Sequence, residues 1–358
     1  MQAFNPTRFT VAQKRRRMKR GELARRSGIS EVTISRLTRN LFEPDPSTVS
    51  AIALALDYPV SFFYSDDLEE LTREEVSFRS LARMPAADRD AAISAGSLGV
   101  LLSDWIDERF NLPNVDVPDL REHTPKEAAS LLRQQWKLGE RPVKSILKLL
   151  ESKGVRILSL CENTRNVDAF SFWRGERPFI FLNTFKTSEH SVFDAAHELG
   201  HLVMHQHSTL SASKKSEQEA NNFASAFLMP SNDVIARIPR RISVDGIIKA
   251  KIRWGVSAMA MAYRLHALDR LSDWQYRSIC IELSQRGYRA SEPQGIERET
   301  SVVLQRVFEQ LWSEKVTKTD VSKELSLPLD ELECLVFGLI GKKGGLDPQN
   351  KGSSLRIV

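Results

Sequence analysis

Residues 193–205 read FDAAHELGHLVMH and are the most informative stretch of this 358-residue chain. In a helix, His197 and His201 lie on one face, about one turn apart. Two imidazoles so placed can bind a single Zn²⁺, and Glu198 between them can deprotonate a water molecule as a general base. The HExxH spacing therefore predicts a catalytic zinc site. The alternative interpretation is a core helix that carries two histidines for packing.

A third ligand separates these interpretations, and the sequence offers two candidates. The first is Glu217, in a helical segment at 216–224 that reads SEQEANNFA and whose alanines would let it pack closely on the HExxH helix. Asn221 shares the face of Glu217 and could orient a ligand histidine. The second is His207, which stands where the extended pattern H-E-x-x-H-x-x-G-x-x-H has its third histidine, although Met204 replaces the glycine.

Three short segments ahead of the motif have the composition of strands. The ranges 155–160, 167–173 and 179–182 are rich in β-branched and aromatic residues and are bounded by turn-forming residues. An extended substrate could pair with an exposed edge of this sheet, for which 179–183 is the candidate strand. Helical patterns fill most of the remaining chain. We predict a mainly α fold with a small β-sheet (α+β), in which an all-α N-terminal domain precedes a zincin-like α+β domain and a helical C-terminal region.

The formal charge of +5 is concentrated at the N-terminus. Residues 1–65 contain eleven Lys and Arg against five acidic residues, a net +6, so the rest of the chain is close to neutral at −1. A basic excess confined to one small unit is typical of a nucleic-acid-binding domain. Within that unit, we expect the basic run at 14–19 to contact phosphates.

A helix-turn-helix is predicted at residues 21–37, which read GELARRSGISEVTISRL. Apolar residues recur at core spacing on both sides of Gly28, which supplies the tight turn. Ser30 is a suitable N-cap for the second helix, which in such motifs enters the major groove of double-stranded DNA. The residues expected to contact DNA are Arg20, Ser30, Glu31, Val32, Thr33, Ser35 and Arg36.

The bulk composition excludes several classes of protein. Three cysteines are too few and too dispersed for a metal knuckle or a disulfide framework, and they fit a reducing compartment. The most apolar stretch, at 49–64, is interrupted by Asp57 and Pro59 and is too short to span a bilayer. No signal-peptide pattern is present. We therefore expect a cytoplasmic protein with no membrane partner.

Residues 9–63 resemble the XRE-family (Cro/C1-type) helix-turn-helix domain. The resemblance rests on the motif just described and on the closing segment LDYPVSFF at 56–63. Two positions depart from that family's usual residues, namely Arg20 in place of a Gln and Thr38 in place of a Glu. The resemblance implies a DNA-binding transcriptional regulator.

The HELGH stretch, together with EQEANNFA at 217–224 and LMP at 228–230, resembles the ImmA/IrrE metallopeptidase family over residues 125–265. Members of that family cleave repressor-type DNA-binding proteins, and fusion to a helix-turn-helix domain recurs among them. The resemblance implies Zn²⁺ as the cofactor. By this resemblance the zinc ligands are His197, His201 and Glu217, and the general base is Glu198.

These observations predict a DNA-binding transcriptional regulator with a zinc endopeptidase domain that cleaves a repressor-type or antitoxin-type protein, a class that could include the chain itself. The alternative is a non-catalytic regulator whose peptidase-like domain senses a ligand or mediates dimerisation. The expected partners are a double-stranded DNA operator, a protein substrate and a second copy of the chain in a homodimer. The predicted divisions are a DNA-binding domain at 8–64, a helical linker at 65–124, a metallopeptidase domain at 125–265, a helical region at 266–340 and a flexible tail at 341–358.

Overall fold

The structure, a computed structural model, has a mainly helical chain with one small sheet, which confirms the predicted fold class. In the part of the chain that it describes, no helix combines the length and apolar character needed to cross a membrane. The predicted tail lies outside the described residues except for Gly341. The described ranges are 3–72, 76–78, 85–160, 169–206, 214–239, 241–288 and 291–341.

Short helices build the N-terminal unit: α1 (Pro6–Arg15), α2 (Arg20–Ser27), α3 (Glu31–Thr38), α4 (Pro46–Leu56) and a 3₁₀ helix (Val60–Tyr64). Gly28 ends α2 with φ 72°, a left-handed conformation that glycine adopts without steric cost. Ser30 then caps α3, because its side chain accepts a hydrogen bond from the backbone N–H of Thr33. Leu23 and Ile34 are fully buried between the helices. The turn and its packing therefore follow the helix-turn-helix pattern.

The sheet comprises, among the described residues, β1 (Ser77–Phe78), β2 (Arg156–Leu160), β3 (Ala169–Arg174) and β4 (Arg177–Asn183). Their spatial order is β1-β3-β4-β2, with β4 antiparallel to β3 and parallel to β2. Because β4 has a neighbour on each side, the prediction that a substrate strand pairs at 179–183 is wrong. The two-residue strand β1, antiparallel to β3, was not predicted.

The remaining helices cover the sheet and extend beyond it. They are α5 (Ala86–Asp107), α6 (Pro125–Gln135), α7 (Ile146–Ser152), α8 (Ser188–Met204), α9 (Lys214–Leu228), α10 (Ser231–Arg237), α11 (Val244–Lys251), α12 (Ala258–Ala267), α13 (Asp273–Gln285), α14 (Val302–Ser313), α15 (Lys318–Glu324) and α16 (Leu329–Val336).

The two faces of the sheet are covered by α5 and α8. Gly99 of α5 lies so close to β4 that an added Cβ would be 2.4 Å from the ring of Phe181. Side chains alternate between the faces of a strand, and Ser171 of β3 is on the face toward α8, where it contacts Glu198. The range 65–124, predicted as a helical linker, therefore contributes a helix that packs directly on the sheet.

Candidate functional site

The HELGH segment lies within α8, and its two histidines are buried side by side. The helix runs from Ser188 to Met204 and is capped by Thr187, whose side chain accepts a hydrogen bond from the backbone N–H of His190. One turn apart on one face, His197 and His201 are 0% and 3% exposed. Their Nε2 atoms are 3.1 Å apart. The helix therefore brings the Nε2 atoms of the two imidazoles next to each other.

Glu217 of α9 completes a cluster with the two histidines. Its Oε2 lies 3.4 Å from His197 Nε2 and its Oε1 lies 3.4 Å from His201 Nε2. The three donor atoms lie within 4.8 Å of one another. The helices approach closely because Gly200 faces α9, where an added Cβ would be 3.0 Å from Phe223. The structure thus brings together the three residues predicted as metal ligands, and their ligand role stays a prediction.

Burial and mutual contact set the protonation of this cluster. Burial lowers the pKa of His201 to about 4, against the opposing effect of Glu217. Burial alone would raise the pKa of Glu217, but the neighbouring imidazoles of His197 and His201 outweigh it and hold that pKa at about 2. Near neutral pH, His201 is therefore neutral and Glu217 is ionised. These are the protonation states that metal coordination requires.

The donor atoms are spaced like the ligands of one ion. Atoms that each lie about 2.0–2.1 Å from a tetrahedral zinc are about 3.3 Å apart, and the separations here are 3.1, 3.4 and 3.4 Å. Both Glu217 oxygens are buried and make no hydrogen bond of normal geometry with a described residue. A buried carboxylate in this state is costly unless a cation neutralises it. The residues present therefore fit a zinc ion.

Two further side chains fix the orientation of groups in the cluster. The Oδ1 atom of Asn221 lies 3.2 Å from His197 Nδ1. Since this amide oxygen can only accept, His197 carries its proton on Nδ1 and presents the Nε2 lone pair to the cluster. Glu198 is 0% exposed, and its Oε2 accepts a 2.7 Å hydrogen bond from Ser171 Oγ. The sequence did not point to Ser171, because this contact depends on packing between β3 and α8.

His205 and Glu219 also contact this site. From the sequence, His205 was considered only as a candidate oxyanion stabiliser or a packing histidine, and Glu219 was given no role. His205 Nδ1 lies 3.0 Å from His201 Nδ1, and His205 Nε2 lies 3.1 Å from Glu219 Oε2. Burial lowers the pKa of His205, against the opposing effect of Glu219. The signal in the sequence was the spacing of four residues between His201 and His205, which repeats the spacing of the motif. The other candidate ligand, His207, lies outside the described residues.

The residues predicted to contact DNA line the surface of α3 and the start of α2. Ser30, Glu31, Val32 and Arg36 are exposed, as is Arg20, whereas Thr33 and Ser35 are half-buried. The guanidinium group of Arg36 lies 5.2 Å from the centre of the Phe42 ring. These side chains are placed where a major groove could be read, and their contacts with DNA stay predictions.

The basic run at 14–19 is largely engaged in ion pairs within the chain. The prediction of a phosphate contact is wrong for Arg15, whose guanidinium is buried against Glu331. Lys14, Arg16 and Arg17 also pair with carboxylates elsewhere in the chain, and their contacts with phosphates stay predictions. Only Lys19 of the basic residues in the run is exposed and makes no described ion pair. The ion pairs are Lys14 with Glu70 at 2.6 Å, Arg15 with Glu331 at 2.8 Å, Arg16 with Asp330 at 2.7 Å and Arg17 with Asp88 at 2.7 Å.

Comparison with known families gives a match for two stretches of the chain. The helix-turn-helix family model matches residues 13–63. The model of the IrrE N-terminal-like domain, a peptidase family, matches residues 150–266, which include α8 and α9. Comparison with curated proteins gives no match. The chain therefore joins a helix-turn-helix domain of the XRE type to an IrrE/ImmA-like domain of a peptidase family.

Proposed function

We propose that the domain at 150–266 is a zinc-dependent endopeptidase and that the N-terminal unit directs it to DNA as part of a transcriptional regulator. The observation that carries this proposal is the buried convergence of His197, His201 and Glu217 beside the Glu198 carboxylate. The two family matches support a peptidase-type domain and a DNA-binding domain.

The residues of the site divide the chemistry between them. His197 and His201 would hold the ion through their Nε2 atoms, and Glu217 would hold it through its carboxylate. A bound zinc ion supplies Lewis acidity, which makes a scissile carbonyl more electrophilic and a nearby water more acidic. Glu198 takes a proton from the attacking water onto its carboxylate and delivers it to the leaving amine. Ser171 keeps that carboxylate oriented through its hydrogen bond to Oε2.

The proposed substrate is a repressor-type or antitoxin-type protein, a class that includes a second copy of this chain. The support for this class is the pairing of domains, because a peptidase held on DNA meets proteins bound nearby at a high effective concentration. A homodimer fits the same proposal, since helix-turn-helix domains commonly read paired half-sites.

A non-catalytic regulator is the second candidate, and the burial of the site favours it. His197 and Glu198 are both 0% exposed. In this arrangement neither side chain is exposed to an incoming peptide. In this second candidate, the cluster would sense a ligand or support dimerisation, and DNA binding would be the whole output.

Zinc content is the first test of the proposal. We expect the purified full chain to contain stoichiometric zinc by elemental analysis and the Glu217→Ala variant to lose it, because two histidines alone give an incomplete site. Glu282→Ala, which removes an exposed carboxylate on α13, is the control and should retain zinc. A wild-type chain without stoichiometric zinc would contradict the zinc-peptidase proposal.

Proteolysis is the second part of the same test. We expect zinc-loaded wild-type chain, incubated alone and with unfolded casein, to generate new N-termini detectable by mass spectrometry. Glu198→Gln should keep its zinc and lose this cleavage, because an amide cannot accept the water proton. Cleavage that persists in Glu198→Gln would remove Glu198 from the role of base, and zinc binding without cleavage in the wild type would favour the non-catalytic candidate.

A further inference from the structure

We propose that Glu219 and His205 form a hydrogen-bond relay that holds His201 in the tautomer able to coordinate the metal. Both would be positioning residues, since neither offers an atom to the three-residue cluster. This inference rests on the proposed function, and it assigns roles to two side chains that the HExxH pattern does not include.

The relay begins at the Glu219 carboxylate. Its Oε2 is 3.1 Å from His205 Nε2. An ionised carboxylate only accepts hydrogen bonds, so His205 must donate through an Nε2–H. A neutral imidazole has one N–H and one lone pair, so the lone pair of His205 then lies on Nδ1. The position of Glu219 therefore decides which nitrogen of His205 can accept.

The second step runs from His205 to His201, whose Nδ1 atoms are 3.0 Å apart. With its lone pair on Nδ1, His205 accepts a hydrogen bond from His201 Nδ1–H. The lone pair of His201 is then on Nε2, which is the atom that faces His197 and Glu217. With His205 neutral, the donor and acceptor roles therefore follow in sequence from Glu219 to the metal cluster.

The end of α8 makes this relay geometrically available. His205 is the C-cap of the helix, with φ −121° and ψ 19°, and its backbone N–H donates to the carbonyl of His201. Its side chain is only 9% exposed, so little water competes for its ring nitrogens. The ring therefore stays beside His201, and Glu219 reaches it from α9.

The two ligand histidines differ in what supports them. His197 is oriented by the neutral amide of Asn221 at 3.2 Å, whereas His201 is connected through an imidazole to a carboxylate. A negative charge behind an imidazole raises the basicity of its other nitrogen, and loss of such an outer partner typically weakens metal binding about 10–100-fold. The outer support of His201 therefore ends on a carboxylate, whereas that of His197 ends on a neutral amide.

Zinc affinity, measured by competition with a chromophoric chelator on the full chain, tests the relay. We expect Glu219→Ala and His205→Phe each to weaken zinc binding about 10–100-fold. Because Glu219 acts through His205, the double variant should be no weaker than His205→Phe alone. Lys215→Ala is the matched control: Lys215 is 3.7 Å from Glu219 but 86% exposed, so its loss should leave affinity unchanged.

The outcomes separate the relay from the proposed function. The relay is wrong if the wild-type chain and Glu219→Ala bind zinc equally tightly. It is also wrong if the losses of zinc affinity in Glu219→Ala and His205→Phe multiply in the double variant. In both cases the zinc site itself stands. If wild-type chain binds no zinc, the proposed function fails and the relay fails with it. Should His205→Phe not fold, imidazole ¹⁵N shifts of the metal-free wild-type chain and of metal-free Glu219→Gln give the tautomer of His201. We expect the proton on Nδ1 in the wild type and a shift of population toward Nε2 in Glu219→Gln, and a wild-type proton on Nε2 would overturn the relay.

Discussion

A single hydrogen atom, the side chain of Gly200, sets how closely α8 approaches α9. A Cβ at this position would be 3.0 Å from Phe223, which is itself fully buried, so the ring has little room to withdraw. Gly200 lies within the HExxH motif, and the cost of glycine in a helix, about 1 kcal/mol relative to alanine, is therefore offset by the contact it permits. The distance between Glu217 and the two histidines depends on this contact.

We expect Gly200→Val to separate α8 from α9 and to reduce zinc binding at least about tenfold, with a loss of about 1–3 kcal/mol in the free energy of unfolding from overpacking. Chelator competition and urea denaturation measure the two effects. Gly341→Val is the control, because a Cβ there meets no atom within 4 Å. Unchanged zinc affinity in Gly200→Val would mean that α9 is not held at this distance by Gly200.

At the residue scale, the sequence was sufficient to predict the site residues that lie close to one another in the chain. The two histidines and Glu198 follow from one helical turn, and Glu217 follows from a helix pattern close by in the chain. Ser171 could not be found in this way, because its partner Glu198 is 27 residues distant and the contact exists only once β3 packs on α8. His205 was missed because its contact is with the outer nitrogen of His201, one turn earlier, and not with the three-residue cluster that the HExxH spacing predicts.

At the scale of elements, the exposed face of α3 has beside it a basic run whose charged side chains, apart from Lys19, are already paired with carboxylates. The side chains that remain for phosphates lie at the start of α2 and on α3, among them Arg20 and Arg36. Phosphate contacts give binding its salt dependence, so each such residue contributes to the slope of affinity against salt. The surface proposed to contact DNA therefore has fewer unpaired basic side chains than the charge count of the N-terminal unit suggested.

We expect Arg20→Ala to lower the slope of log K against log salt by about 0.9, the value for one phosphate contact, on a mixed-sequence DNA duplex. Lys14→Ala should leave that slope unchanged, because Lys14 is paired with Glu70 at 2.6 Å. Fluorescence anisotropy over a salt series measures both variants. A slope that falls in Lys14→Ala and not in Arg20→Ala would support the original assignment of the basic run.

Sequence patterns predicted where the strands and helices lie in the chain better than they predicted which elements lie next to one another in space. The three longer strands are rich in β-branched and aromatic residues, which a local pattern can reveal. The strand order was not readable, so β4 was taken as an edge although β2 and β3 flank it. The ion pairs of the basic run were not readable for a related reason: the carboxylates that pair with Arg15 and Arg16 lie more than 300 residues later in the chain.

At the scale of the whole molecule, Glu331 of α16 joins the N-terminal unit to the C-terminal helices. Its Oε2 lies 2.8 Å from Arg15, its Oε1 accepts a 3.0 Å hydrogen bond from Tyr58, and both charged side chains are less than a tenth exposed. Burial raises the pKa of Tyr58, and the neighbouring Glu331 raises it further. The helix-turn-helix unit therefore packs against α16 and is not a freely tethered module.

We expect Glu331→Ala to lower the free energy of unfolding by about 3–5 kcal/mol, because it leaves the Arg15 charge buried without its partner. The adjacent Asp330→Ala removes a pair with Arg16 whose carboxylate is 58% exposed, and should cost no more than about 1 kcal/mol. Guanidinium denaturation of both variants provides the comparison. Equal stability of the two variants would show that the buried pair does not connect the units energetically.

The pair between Arg15 and Glu331 also has a consequence for synthesis. The two residues are separated by 316 positions. At ribosomal rates of about 5–20 residues per second, Arg15 is made roughly 15–60 s before its partner. During that interval the nascent DNA-binding unit carries an uncompensated cation on the face that later meets α16. The unit that is translated first therefore completes its packing only when α16, one of the last helices, emerges. A ribosome that stops early releases a helix-turn-helix unit without the contact between Arg15 and Glu331.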